Sequence, residues 1–307
     1  MLHSLNELPA HERIVVALGV FDGVHRGHQA ILSRLVGLAR ETASTPVALF
    51  FSPHPREVLC PPGPRHLTVL DYKSSLLLQY GAEQVVAMDF TKELADMGAT
   101  EFLERHFCTG DLEVNGFCVG ENWRFGKGNS AGVDFLAEWG ARHGKRVEVV
   151  PFVDYEGEPV SSTRLRTMVE NGELGKAKEM LGRDFAVCGV VSHGNGIGRK
   201  MDCATANIVD EMHVLPPSGV YAGLAHWNGR TEAGIVYVGT APTVRPEASV
   251  PWVELHLLDC NENLYGRELV VDFVQFIRKD RKFDSQEKLA EQIKLDIAKC
   301  RSVLNQG

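Results

Sequence analysis

The 307-residue chain has no CxxC pair, no low-complexity tract, no internal repeat and no excess of positive charge. No apolar run approaches the roughly 18 residues that a membrane-spanning helix needs, so no membrane partner is expected. The seven cysteines (Cys60, Cys108, Cys118, Cys188, Cys203, Cys260, Cys300) are scattered and odd in number. That argues against a disulfide framework or a structural zinc site, and it fits a reduced cytoplasmic setting. Residues Met1 to Arg13 lack a basic segment followed by an apolar one, so no signal peptide is read. The net charge of −8 disfavours a general nucleic-acid binder. A nucleotide enzyme remains open, because a few local cations suffice to hold phosphates.

What is present is an ordinary globular balance, 44% hydrophobic and 23% charged, over a length that suits two domains. The first part alternates in period. Ile14–Leu18, Val47–Phe51, Val85–Met88, Phe117–Gly120 and Val147–Val150 read as strands. Gln29–Arg40, with Ile31, Leu32, Leu35, Val36 and Ala39, has helix spacing, and Phe102–Phe107 looks helical as well. This order predicts a parallel α/β sheet. After about Leu181 the texture changes to short β-rich runs at Val187–Ser192, Gly219–Ala225, Ile235–Gly239, Val253–Leu258 and Glu268–Phe276, which suit a small antiparallel barrel. A long helix closes the chain. Asp284 and Glu287 read as its capping box, and Leu289, Ile293, Ile297, Cys300 and Leu304 form its apolar stripe. The expected division is 1–181 and 182–307.

The strongest local signal is the run from Gly19 to His28, where a buried strand meets a helix and His25 and His28 flank Gly27 as HxGH. Three readings fit it. Free N–H groups and the positive end of a helix favour phosphate, Gly27 permits close approach, and two imidazoles can donate to phosphate oxygens. Donors placed in this way suit adenylyl transfer, in which charge at the α-phosphate must be stabilised as pyrophosphate leaves. The same residues also fit surface histidines at a helix start, or a zinc site with His54 as third ligand. The run is neither a Walker A loop nor GxGxxG. A second signal is Val160–Arg166: hydroxyls at a helix start normally cap it, but two arginines in a first turn oppose the dipole and want an anion. A third, Val119–Gly128, combines glycines, a carboxamide and aromatic rings, which suits a stacked heterocycle or a plain βα loop.

In the second half, the glycine-rich turn His193–Arg199 offers successive N–H groups, at Gly196 and Gly198 among others, that suit phosphate or simply a hairpin loop. Thr205 and Asn207, two apart on an extended backbone, face one way, and their oxygens suit a hard cation such as magnesium. Glu254 alternates with Val253 and Leu255, and it reads either as a solvent-facing carboxylate or as a base for an attacking hydroxyl.

Taken together and in order, Gly19–Gln29, Phe51–Arg56, Gly120–Gly126 and Val160–Arg166 resemble the FMN adenylyltransferase half of bacterial bifunctional riboflavin kinase/FAD synthetases. The segments around Thr205–Asn207, Gly239–Thr243, Glu254, Leu264–Glu268 and Arg281–Ser285 resemble the kinase half. The resemblance implies a Rossmann-like HxGH nucleotidyltransferase domain, followed by a six-stranded antiparallel barrel with a terminal helix. The implied activity is phosphorylation of riboflavin to FMN, then adenylylation of FMN to FAD, with ATP as co-substrate and Mg2+ as cofactor. By resemblance His25 and His28 contact ATP phosphates, and Asn122, Ser162, Thr163 and Arg166 bind phosphates. Phe125 lies near the flavin, Thr205 and Asn207 hold magnesium, and Glu254 activates the ribityl hydroxyl. One stretch departs from the family's Gly-aromatic-Pro-Thr-Ala-Asn: here it reads Asp202-Cys203-Ala204-Thr205-Ala206-Asn207. Loss of the proline frees the loop, and Asp202 adds negative charge beside a phosphate site. The alternative expectation is therefore an FMN adenylyltransferase whose barrel binds flavin with weak or no kinase activity.

Overall fold

The computed structural model describes residues 1–108, 111–192, 205–208, 212–240, 251–258, 262 and 264–304, with backbone only at 205–208, 240 and 251. Gly196, Gly198 and the altered loop 202–204 lie outside the described residues. The chain forms two compact units, Met1–Arg65 with Leu70–Ser162, and His66–Val69 with Thr163–Gly307.

The first unit runs β1 (Arg13–Gly19), α1 (Arg26–Thr42), β2 (Thr45–Ser52), α2 (Pro55–Leu59), α3 (Leu70–Gln79), β3 (Gln84–Asp89), α4 (Lys92–Ala95), α5 (Ala99–Phe107), β4 (Glu113–Gly120), α6 (Val133–Arg142) and β5 (Arg146–Val150), then a short hairpin of β6 (Asp154–Tyr155) and β7 (Glu158–Pro159). The sheet is parallel in the order β3-β2-β1-β4-β5. Every residue of β1 after Arg13 is buried, as are Pro46–Phe51 of β2. That explains their unbroken apolar runs, because a parallel sheet covered on both faces erases the two-residue alternation. Helix α1 lays Ile31, Leu32, Leu35, Leu38 and Ala39 into the core. Phe117, Leu136 and Trp139 are buried in the cluster that also holds Ile14, Val16 and Leu18 of β1. Strand order reverses at β1, with β2 and β3 on one side and β4 and β5 on the other. The crevice beyond the carboxyl ends of β1 and β4 is where an open α/β sheet binds ligands.

The second unit takes most of α7 (Ser162–Glu170), from Thr163 onward, and α8 (Leu174–Leu181), then β8 (Phe185–Ser192), β9 (Thr205–Ile208), β10 (Gly219–Trp227), β11 (Arg230–Thr240), β12 (Pro251–Leu257), β13 (Glu268–Lys279) and α9 (Gln286–Leu304). The strands close a ring in the order β10-β11-β12-β9-β8-β13, with every pairing antiparallel. Tyr221, Phe185, Phe273, Val236, Leu255, Leu269 and Val271 are among its fully or almost fully buried residues. A separate cluster of Val220, Ala222, Ile235, Ile277 and Cys300 carries Ile297, Val303 and Leu304 of α9. One set of strand positions thus fills the barrel and the alternate set seats the helix.

The start of α9 differs from the expected capping box. The helix begins at Gln286, and Ser285 Oγ accepts from the Lys288 N–H at 3.3 Å, so Ser285 is the cap. Asp284 instead pairs with Lys288 Nζ at 3.0 Å. Both residues are competent caps, and the one adjoining the first helical turn reaches its free N–H. The apolar stripe also encloses a charge. Asp296, 4% exposed, accepts from Arg278 Nε at 3.0 Å and Nη2 at 2.8 Å, and from Gln292 Nε2 at 2.7 Å. Removing one partner of a buried, hydrogen-bonded pair strands the other charge. Asp296→Ala is expected to destabilise the barrel unit by roughly 3 kcal/mol, read as a lowered urea midpoint at an unchanged slope.

Candidate functional site

The loop after β1 is shaped by two glycines and a strained turn. A Cβ on Gly19 would sit 2.9 Å from the Phe21 ring, so glycine there lets that ring fold back over the strand end. Phe21 and Val24 adopt positive φ (53° and 39°) on either side of Gly23, which is costly for non-glycine residues and typical of a backbone held in place for a task. The turn delivers His25 to the cap of α1. Its backbone is extended, and Nδ1 accepts from the His28 N–H at 3.4 Å.

His25 is 5% exposed, and its ring stacks on that of His28 with centroids 3.6 Å apart and planes 16° from parallel. Phe21 meets His28 edge-on at 5.2 Å. A Cβ at Gly27 would lie 3.2 Å from His25 Cε1 and Nδ1, so Gly27 keeps the stacked pair clear. Stacked rings point their in-plane lone pairs side by side rather than toward one ion, and His25 has spent Nδ1 on the helix. His54 does not join them as a ligand: its Nδ1 caps α2 by accepting from Arg56 N at 3.1 Å, and Glu57 accepts from the His54 N–H at 3.0 Å. Among the described residues, no three His, Cys, Asp or Glu side chains are grouped to hold a metal. The pair is a donor surface at the positive end of a 17-residue helix, an arrangement that attracts phosphate.

Ser162 reaches this loop, its Oγ donating to the Asp22 carbonyl at 2.8 Å. Asp22 itself is fully buried. Thr163 and Arg166 follow in the first turns of α7, and both group with the second unit. Across the crevice, the loop after β4 carries Asn122, whose Oδ1 would lie 3.4 Å from a Cβ on Gly120. A pocket of about 420 Å³ is lined by Glu121, Asn122, Trp123, Arg124, Gly132, Val133 and Asp134. Phe125 is 7% exposed and packs behind Trp123, with nearly parallel rings at 6.4 Å, and Trp123 lies parallel to Phe51 at 6.3 Å. Trp123, not Phe125, therefore presents its ring to the pocket. Its indole N–H is buried without a hydrogen-bond partner in the structure. The motif reading missed Trp123 and Phe21. Both stand inside segments already singled out, so an aromatic residue beside a candidate ligand group was the signal available.

In the barrel, Glu254 is half-buried on β12, between the buried Val253 and Leu255. The ladder sets Glu254 opposite Asn207 and His256 opposite Thr205. The three positions 205, 207 and 254, far apart in sequence, thus meet on two adjacent strands, and directly opposite positions share a sheet face. A hydroxyl, a carboxamide and a carboxylate are all hard oxygen donors of the kind magnesium takes. Beyond β13, the Arg281–Asp284 segment forms a pocket of about 350 Å³ with Lys288, Glu291 and Gln292, and the Arg281 guanidinium sits 4.6 Å from the Phe283 ring centre.

Comparison with known proteins finds matches over nearly the whole length. Residues 7–164 match the family model described as FAD synthetase, and residues 181–304 match riboflavin kinase. A bifunctional riboflavin kinase/FMN adenylyltransferase of Pseudomonas fluorescens is 34% identical over 98% of this chain and 96% of its own. The enzyme of the same description from Escherichia coli K12 is 32% identical over 96% and 94%. A Streptococcus pneumoniae crystal structure described as a macrolide-efflux protein superposes with a TM-score of 0.83 at 27% identity, covering 98% of this chain and 97% of that one. No helix among the described residues is long and apolar enough to cross a membrane.

The spacing at Gly27 makes a prediction that separates stability from binding. Alanine is a better helix former than glycine by up to about 1 kcal/mol, so Gly27→Ala should keep or raise the melting temperature. Its Cβ crowds His25 and disturbs the stacked pair, so ATP affinity measured by calorimetry should fall about tenfold. A variant that binds ATP normally would show that the stacking does not matter.

Proposed function

Because the chain belongs to the bifunctional riboflavin kinase/FMN adenylyltransferase family, we propose that it makes FMN from riboflavin and then FAD from FMN, with one ATP consumed in each step. Adenylyl transfer is assigned to residues 1–181 and phosphoryl transfer to 182–307. The observation that carries the first assignment is the stacked His25–His28 pair at the start of α1, set at the reversal point of the sheet. In this reading the ATP triphosphate lies over the helix start. A phosphate oxygen of FMN attacks the α-phosphorus, the bond to the β-phosphate oxygen breaks, and pyrophosphate leaves. His25 and His28 donate to the oxygens on which charge builds. Asn122 and Ser162 hold remaining phosphate oxygens, and the flavin lies against Trp123, with Phe125 supporting it from behind.

For the kinase step, the support is the register that sets Glu254 opposite Asn207. Glu254 takes the proton from the terminal ribityl hydroxyl as its oxygen attacks the γ-phosphorus and ADP leaves. Thr205 and Asn207 would hold the magnesium ion, which neutralises charge on the phosphates when bound. By the family resemblance, backbone N–H groups at Gly196 and Gly198 would serve the same phosphates. The altered residues Asp202, Cys203 and Ala204 favour a second reading, in which the barrel binds flavin while kinase turnover is weak.

A chromatographic time course with riboflavin, ATP and magnesium, repeated with FMN, distinguishes these readings. FMN and FAD from riboflavin support both steps, whereas FAD from FMN alone leaves the adenylyltransferase. His28→Ala is expected to lower FAD formation from FMN at least a hundredfold while FMN formation continues. Equal loss of both in a folded variant would contradict separate sites. Glu254→Gln should do the reverse, and parent-like phosphorylation by that variant would remove Glu254 as the base.

A further inference from the structure

Tyr237, Glu254 and Asn207 occupy one row across β11, β12 and β9: Tyr237 is opposite Glu254, and Glu254 is opposite Asn207. Neighbouring strands are roughly 4.8 Å apart, so the row spans about two strand spacings, with the carboxylate in the middle. The Tyr237 ring is held on three sides. A Cβ at Gly239 would lie 2.5 Å from Cε1 and 3.0 Å from the hydroxyl oxygen, so the ring lies flat over that glycine. Trp252 meets it at 6.2 Å with planes 68° apart, and its apolar body packs on the cluster of Val220, Ile235 and Cys300.

The hydroxyl has acidic neighbours. The Asp280 carboxylate lies beside it, and Asp280 Oδ1 is itself fixed by the Arg281 N–H at 2.8 Å. Burial, then Asp280, and more weakly Glu254, push the phenol pKa up to about 12. The group therefore stays a neutral phenol at any working pH. A neutral phenol hydroxyl has one proton to donate and oxygen lone pairs to accept.

The kinase reading places the phosphoryl donor on the Asn207 side of Glu254. In-line transfer requires the attacking hydroxyl to approach from the side away from the leaving group, so the rest of the acceptor molecule extends toward β11. Resting on that reading, we infer from this row that Tyr237 is a polyol-binding residue, whose phenol hydroxyl hydrogen-bonds a ribityl hydroxyl and so fixes the terminal hydroxyl at Glu254. It is a specificity element for the chain of hydroxyls, not for the flavin ring. Nothing in the sequence motifs points to it, because its partners are set by strand register.

The test uses the full chain and Tyr237→Phe, which keeps the ring and its packing. The expected result is a KM for riboflavin raised about tenfold with kcat within a factor of about three, the worth of one hydrogen bond to a held substrate. FAD formation from FMN and the melting temperature should not change. In parallel, equilibrium binding with ADP and magnesium present compares riboflavin with lumiflavin, which lacks the polyol. Weaker riboflavin binding with lumiflavin unaffected supports the assignment. Equal affinities for riboflavin in both proteins, or equal loss for the two flavins, overturns it. If the parent protein makes no FMN, the kinase reading fails on its own, and the riboflavin–lumiflavin comparison still decides the role of Tyr237.

Discussion

The first unit depends on one constraint, the reversal of strand order at β1. A parallel sheet covered by helices offers a ligand only the carboxyl ends of its strands, and only where successive connections depart to opposite sides. Here the loops after β1 and β4, neighbours in the sheet, flank that point. The requirement explains why β1 is buried from Ile14 onward, why the turn after it tolerates positive φ at Phe21 and Val24, and why a histidine takes the cap position that serine or aspartate usually holds. The imidazole of His25 satisfies a helix N–H and presents its ring to His28 at the same time. A shorter cap would meet the first need and not the second.

The barrel meets a different constraint. Its interior is filled by Tyr221, Phe185, Phe273 and the aliphatic residues around them, which leaves no room for chemistry inside. Functional groups must occupy the alternate strand positions, which α9 and the following loops only partly cover. Glu254 is such a position, between two buried neighbours. In the proposed kinase site its neighbours come from β9 and β11 through register alone.

Much of this was legible in the sequence, and what was missed has a common cause. The strands β1 to β5 announce themselves as short apolar runs, the helix after HxGH and the terminal helix through local period, and the structure places them where the pattern does. The expected cap, Asp284, is one position early: Ser285 adjoins the first helical turn, and its Oγ accepts from the Lys288 N–H. The grouping of α7 and α8 with the barrel, and the burial of Phe125 behind Trp123, depend on contacts between distant segments. So does the pairing of Tyr237 with Glu254, which lie 17 positions apart and are joined by ladder register. Register has no signature in a single strand's composition.

The two candidate sites also differ in a way that the two reactions demand. In adenylyl transfer the nucleophile is a phosphate oxygen, already anionic at neutral pH, so the enzyme's task is to accommodate charge. Helix N–H groups and imidazole donors do that. In riboflavin phosphorylation the nucleophile is a neutral alcohol that must lose a proton as it attacks, so a carboxylate is needed within reach. The first unit puts stacked imidazoles at a helix start, and the second puts a half-buried carboxylate at Glu254, opposite position 207 in the ladder. Exchanging those groups would leave each reaction without the one thing it lacks. This distribution of donors and base, rather than either fold, argues that the chain carries two chemistries and not one chemistry twice.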